Sequence, residues 1–193
     1  MTDESSPSPD KGAGRLFLGV PVTDEVRQAL VQQLGPVSLP GRLVPPDKWH
    51  LTLRFLGDTP HGALSRLRET LRASPFPSPF DIEFGALGAF PNAARASVLW
   101  VGIVHGSDPL RSLAAEVEAA VRRSGFAAET RPFSSHLTLS RLQPPRDVRP
   151  LIESVPVLSA RMLVNEVVLF RSHLGRGPSR YEALDRFSLG SSP

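Results

Sequence analysis

Apolar positions along the chain fall into short runs and strand-like alternation, separated by stretches of helical spacing. Residues 15–20 (RLFLGV) form a compact apolar run and predict a strand. Thr23 stands where a helix cap would accept backbone N–H groups, with Asp24 and Glu25 in the positive first turn, and Val26, Leu30, Val31 and Leu34 recur at helical intervals. Residues 49–56 (WHLTLRFL) alternate, and residues 62–73 carry Leu64, Leu67 and Leu71 as a second helical stripe. A Pro-rich break leads to a strand over 80–84, a Gly-rich turn through Gly85 and Gly88, and a strong strand over 97–104 (SVLWVGIV). Asp108 opens a third helix with Leu110, Leu113, Val117, Ala120 and Val121 on one side, and Gly125 is a natural stop. Alternation returns over 135–142 (SHLTLSRL), and residues 161–171 and 181–189 read as a closing strand pair. Several successive strands lack an intervening helix, which points to an α+β fold with a largely antiparallel sheet.

Composition narrows the picture further. A chain of 193 residues is one domain, or two closely joined lobes, with enough length to bury a core without covalent staples. There is no Cys, which removes disulfides, zinc–thiolate sites and cysteine nucleophiles from consideration. Residues 1–14, rich in Ser, Pro, Asp and Gly, predict a disordered tail ahead of a single domain over 15–189, and residues 190–193 a loose end. The tail lacks the apolar core of a secretory signal, and no run approaches the ~18 apolar residues of a membrane span, so a cytoplasmic protein without a membrane partner is expected. The net charge is +3, and lysine occurs only at Lys11 and Lys48, so nearly all the positive charge is arginine. Arginine suits phosphate, but compositional bias is the simpler account of the excess.

The chemistry lies in a repeat. His-Leu-Thr-Leu occurs at 50–53 and again at 136–139, each copy opening an alternating segment. On a strand, His50, Thr52 and Arg54 share one face and Leu51, Leu53 and Phe55 the other; in the second copy His136, Thr138 and Ser140 align in the same way. The leucines anchor each strand to a core, and the opposite face offers an imidazole and a hydroxyl. Two such strands across a cleft suit phosphodiester hydrolysis. One imidazole takes a proton and the other gives one, while the threonine hydroxyls bond the non-bridging oxygens. The motif demands no metal and no cofactor.

The segments WHLTLRFLG at 49–57 and RPFSSHLTLSR at 131–141 resemble the two signature motifs of the two-histidine phosphoesterase superfamily. Within it, the chain is most similar to the bacterial and archaeal RNA 2′,3′-cyclic phosphodiesterases, also called 2′-5′ RNA ligases. The likeness runs from the RLFLGVPV segment through GALGAFPNAARASVLWVGI at 85–103 to VNEVVLFRSHLGRGPSRYEALDRFSL near the end. One departure is Ser135, where many members carry Pro. The resemblance implies a bilobal α+β fold, with two pseudo-twofold-related antiparallel sheets facing a central cleft and helices on the outside. It implies metal-independent opening of RNA 2′,3′-cyclic phosphate ends to 2′-phosphate, with His50 as proton donor, His136 as proton acceptor, and Thr52 and Thr138 holding the phosphate. It also implies 2′-5′ RNA ligation, in which an RNA 5′-hydroxyl takes the place of water. The implied partner is RNA with a cyclic phosphate terminus, tRNA fragments included, and a monomer is expected.

Other residues carry weaker signals. Alternation puts Arg54 on the reactive face, where it either binds substrate or is an ordinary solvent-facing side chain. Arg131 either clamps the phosphate or caps its loop. Arg141 belongs to the family motif, yet alternation points it away from His136 unless a bulge intervenes. Trp49 and Tyr181 favour packing over base stacking. His61, His105 and His173 fall in turns or loops, His173 being the one worth testing. Two other functions stay open: an RNA-binding module without turnover, and a phosphodiesterase of a small cyclic nucleotide.

Overall fold

A computed structural model describes residues 13–173 and 180–190. The tail expected over 1–14 lies outside the described residues as far as position 12, and the loose end expected over 190–193 does so from position 191. Ala13 and Gly14 already belong to the fold: Ala13 is buried, and its N–H donates to the Thr59 carbonyl at 2.6 Å. The order of elements is β1 (Gly14–Pro21), α1 (Asp24–Leu34), β2 (Arg42–Leu43), β3 (His50–Thr59), α2 (His61–Arg72), β4 (Phe80–Phe90) and β5 (Ala96–His105). It continues with α3 (Ser107–Arg123), β6 (His136–Arg146), α4 (Arg149–Ser154), β7 (Ala160–Val164), β8 (Glu166–His173) and β9 (Arg180–Ser188).

The strands form one antiparallel sheet in the order β7-β4-β5-β6-β3-β1-β8-β9, with β2 added beside β6. It divides into two halves, β7-β4-β5-β6 and β3-β1-β8-β9, which meet at the β6–β3 seam. That seam consists of one residue pair, Leu51 opposite Leu137, and the strands part on either side of it. The bilobal α+β architecture therefore arises from a single sheet curled about its narrowest joint. The helices supply the other layer. In α1, Thr23 accepts the Val26 N–H, and Val26, Leu30 and Leu34 turn inward while Val31 is exposed. In α2, Leu64, Leu67 and Leu71 are buried; in α3, Leu110, Leu113, Val117, Ala120 and Val121 are. Helices α2 and α3 pack on each other, α3 also on β3 and β4, and α1 on β7. No helix among the described residues is long and apolar enough to cross a membrane.

Two expectations from the pattern change in the structure. The Gly-rich turn at 85–88 is part of β4, which runs on to Phe90 with a register shift between Phe84 and Leu87. Residues 161–171 are two strands broken at Asn165, and the break sends them to different halves: β7 pairs with β4, whereas β8 pairs with β1 and β9. An unbroken apolar run carries no local mark of which partner each part will take.

Candidate active site

The seam between the halves builds the site. Because β3 and β6 run antiparallel about the Leu51–Leu137 pair, His50 stands across from Thr138 and Thr52 across from His136. Leu51 and Leu137 point into the core, each about 1% exposed, so the two histidines and two threonines share the opposite face. Diagonal neighbours on such a face stand about 7–8 Å apart, a span that lets two imidazoles reach oxygens on one phosphorus atom. The flanking strands repeat the arrangement. Pro21 and Gly19 of β1 lie beside His50 and Thr52, as Gly102 and Trp100 of β5 lie beside His136 and Thr138.

Beyond the threonines both strands bulge at the same place. Leu53 is the extra residue between the Gly19–Thr52 and Leu18–Arg54 pairs, and Leu139 that between Trp100–Thr138 and Leu99–Ser140. A bulge adds one residue and reverses the faces that follow. Arg54 and Ser140 therefore turn to the core side, and Phe55 and Arg141 come round to the face of the histidines. Ser140 is fully buried and its hydroxyl has no hydrogen-bond partner. Arg54, which alternation assigned to the reactive face, points towards α3 instead: its Nε donates to Glu118 at 2.6 Å and its Nη2 to the Ala127 carbonyl at 2.6 Å. Its contacts tie down the loop leading into β6, and the structure does not bring it to the imidazoles.

Both imidazoles are held alike. His50 Nδ1 donates to the Lys48 carbonyl at 2.8 Å, and His136 Nδ1 to the Ser134 carbonyl at 2.8 Å. A carbonyl only accepts, so Nδ1 keeps its hydrogen and Nε2 is left as the reactive nitrogen of each ring. Burial lowers the pKa of His50 to about 4, against the raising effect of the Lys48 carbonyl, and the charges of His136 and Arg141 lower it further. His136 is lowered for the same first reason, with Arg141 again contributing. The influence of Arg141 on both rings matches its arrival on their face. Among the described residues, no three imidazole or carboxylate groups converge as metal ligands would.

Aromatic rings wall the site on both sides. The His50 ring lies 4.7 Å from Phe17 and edge-on to Tyr181 at 5.2 Å, with Phe170 behind at 6.1 Å. The His136 ring meets Phe90 edge-on at 4.9 Å, and Trp100 lies 6.1 Å away. Gly88 is the bed for Trp100: a Cβ there would fall 2.2 Å from the indole Cη2. Gly88→Ala is therefore expected to lift the indole, to cost about 1–3 kcal/mol of stability, and to lower activity because the wall beside His136 moves. Denaturant unfolding and tryptophan emission check this. The second tryptophan, Trp49, is a steady background, being buried with its Nε1 donating to the Val44 carbonyl at 2.9 Å.

The remaining sequence candidates lie elsewhere. Arg131 is exposed and paired with Glu129 at 3.1 Å, which holds it on its own loop. Trp49 packs beneath the strand. Tyr181, by contrast, edges His50 directly. His173 bonds Glu182 at 2.8 Å, away from the seam, and His61 and His105 stand at element ends. Sequence reasoning did not single out Phe17, Phe90, Phe170 or Trp100; the glycine opposite Trp100 was a usable signal for the last of these.

Residues 16–176 match the 2′-5′ RNA ligase superfamily. The RNA 2′,3′-cyclic phosphodiesterase of Geobacillus stearothermophilus is 33% identical over 183 residues, which is 92% of this chain and 58% of that one, so this chain spans less than two thirds of that relative. The RNA 2′,3′-cyclic phosphodiesterase of Aeropyrum pernix is 31% identical over 84% of this chain and 94% of its own length. Among solved structures, Escherichia coli LigT in apo form is similar with a TM-score of 0.78 and 27% identity, covering 93% of this chain and 99% of that one. The same protein complexed with 3′-AMP also has a TM-score of 0.78, at 27% identity over 92% of this chain and 99% of that one. Family match, relatives and shared fold agree over nearly the whole chain, which belongs to the 2′-5′ RNA ligase superfamily.

Proposed function

We propose that this protein is a metal-independent phosphodiesterase that opens the 2′,3′-cyclic phosphate at the end of an RNA strand to a 2′-phosphate. The observation that carries this is the tetrad at the seam, two imidazoles with free Nε2 atoms set diagonally among two threonine hydroxyls. In the reaction, His136 Nε2 takes a proton from water as its oxygen attacks phosphorus. His50 Nε2–H gives a proton to the 3′-oxygen as the P–O3′ bond breaks. Thr52, Thr138 and Arg141 hold the non-bridging oxygens, where charge rearranges. An RNA 5′-hydroxyl in place of water attacks the same phosphorus in the same direction: its proton goes to His136, the P–O3′ bond breaks, and a 2′-5′ phosphodiester with a free 3′-hydroxyl is left. The relatives named for RNA 2′,3′-cyclic phosphodiester chemistry support the reading, which takes the protein to be a cytoplasmic monomer that serves RNA ends such as those of tRNA fragments.

Burial favours the neutral form of both rings near pH 7 in the free enzyme, so the anionic substrate itself has to promote the proton that His50 donates. The sign follows. A lowered pKa loses its proton at lower pH, so the singly protonated pair of the free enzyme declines as pH rises. The alkaline limb of kcat/KM is expected below pH 6.5, the ordinary value of the ring, and that of kcat higher, because the bound phosphate favours the charged form. An RNA oligonucleotide with a cyclic phosphate end, assayed in EDTA across pH 4–9, tests both points. A kcat/KM that is level from pH 6.5 to 8 contradicts the acid–base pair. Salt-sensitive RNA binding with no product after long incubation would make the chain a binding module instead.

A further inference from the structure

The cleft has two ends that the pseudo-twofold would make alike, and they differ. At one end the bulge after Thr52 presents Phe55, 52% exposed. At the other, the bulge after Thr138 presents Arg141, and there a second arginine stands directly across from it. Strand β2 is two residues long and pairs Arg42 with Arg141 and Leu43 with Ser140. Residues directly opposite in an antiparallel pair project to the same face, so Arg42 joins the face of the histidines, one strand further out.

This juxtaposition is built into the backbone. Gly41, at φ +83°, brings the chain so close to β6 that a Cβ would lie 2.5 Å from the Arg141 carbonyl oxygen. On the other side of β2 the Val44 N–H donates to the Leu139 carbonyl at 2.8 Å. Like charges placed opposite one another weaken a strand pair, and a carboxylate is the usual remedy on this molecule: Arg54 takes Glu118, Arg149 takes Asp147 and Arg161 takes Glu83. Both Arg42 and Arg141 are exposed, and neither has a carboxylate partner among the described residues. The Arg141 charge is felt by both imidazoles. Arg141 shares strand β6 with His136, whereas Arg42 sits on β2, which meets β6 only at Arg141 and Ser140, so Arg141 is the inner and Arg42 the outer of the pair.

We propose that Arg42 binds the phosphodiester one nucleotide upstream of the reacting group, so that the site takes a single strand of RNA by its last two phosphates and favours it over a lone nucleotide. This rests on the function proposed above. Two anions one nucleotide apart offset two adjacent guanidinium groups, the inner phosphate against Arg141 and the outer against Arg42. At the Phe55 end the residue standing directly across is Phe17 instead of an arginine, and this difference gives the strand its direction.

The test compares a cyclic mononucleotide with a dinucleotide ending in the same cyclic phosphate, the second carrying one upstream phosphodiester. The preference in kcat/KM for the dinucleotide is expected to fall about tenfold in Arg42→Ala, to recover in part in Arg42→Lys, and to be lost equally when the linking phosphate of the dinucleotide is a neutral methylphosphonate. The salt dependence of dinucleotide binding is expected to lessen by roughly 0.7 in slope, the share of one single-strand phosphate. An Arg42→Ala protein that slows both substrates in equal proportion, or neither, overturns the proposal, as does a methylphosphonate dinucleotide that keeps its preference. Calorimetry with mono- and dinucleotide 2′-phosphates reads the same contrast without turnover. The upstream contact is thus judged on binding even if no cyclic phosphate is opened, an outcome that would refute the proposed function alone.

Discussion

His50→Ala and His136→Ala are each expected to lower turnover of a cyclic phosphate end by about 10²–10⁴-fold, and the double variant to lose far less than the product of the two. Each ring acts in the same proton-transfer event, so removing the second from a site already missing the first removes little more. The two losses differ in origin, and a change of leaving group separates them. An aryl oxygen with a pKa near 7 departs without being protonated, whereas the alcohol oxygen of ribose does not. On a nucleoside 2′-aryl phosphodiester, the defect of His50→Ala should shrink by an order of magnitude or more while that of His136→Ala persists, because water must still lose its proton. Equal defects on both substrates would reverse or dissolve the assignment of donor and acceptor. Stability has to be measured alongside. His50 is packed against Phe17 and Tyr181, so its truncation also opens a gap among rings, and a refolded, soluble variant is the proper comparison.

What the sequence discloses by itself depends on how local each signal is. The doubled His-Leu-Thr-Leu needs nothing but the period of a strand, and the structure sets both copies at the one residue pair that joins the halves. The helices were legible for the same reason, each being a stripe of leucine and valine with its own start and stop. Pairing was not legible. Nothing in residues 161–171 shows that the chain changes halves at Asn165, because strand partners are chosen by contacts far along the sequence. Alternation was reliable up to Thr52 and Thr138 and misleading after them. Its failure has one cause, a bulge at the fourth residue of each repeat, which exchanged Arg54 for Phe55 and Ser140 for Arg141 on the face that matters. Two-residue periodicity cannot register an inserted residue, so it kept assigning faces in a frame the backbone had left.

That exchange makes the second large effect. Arg141→Ala is expected to cost about 10²–10³-fold in kcat, the loss typical of one preorganised donor to a developing anion, whereas Ser140→Ala one position earlier should leave kcat and KM as they are. Unbulged alternation orders the two the other way. The buried Ser140 hydroxyl has no partner, so replacing it by a methyl group removes an unmet donor and leaves stability unchanged or higher by up to about 1 kcal/mol. Arg141→Lys keeps the charge but not the planar fork, and should restore part of the rate without the full grip on two oxygens. The pH profile gives a further, independent sign. Arg141 depresses both imidazoles through its charge, so its removal should move the alkaline limb of kcat/KM upward, and the lysine variant should bring that limb back down. A residue that merely braced the strand would lower activity without moving either limb, and the two behaviours are distinguishable in a single set of rate measurements.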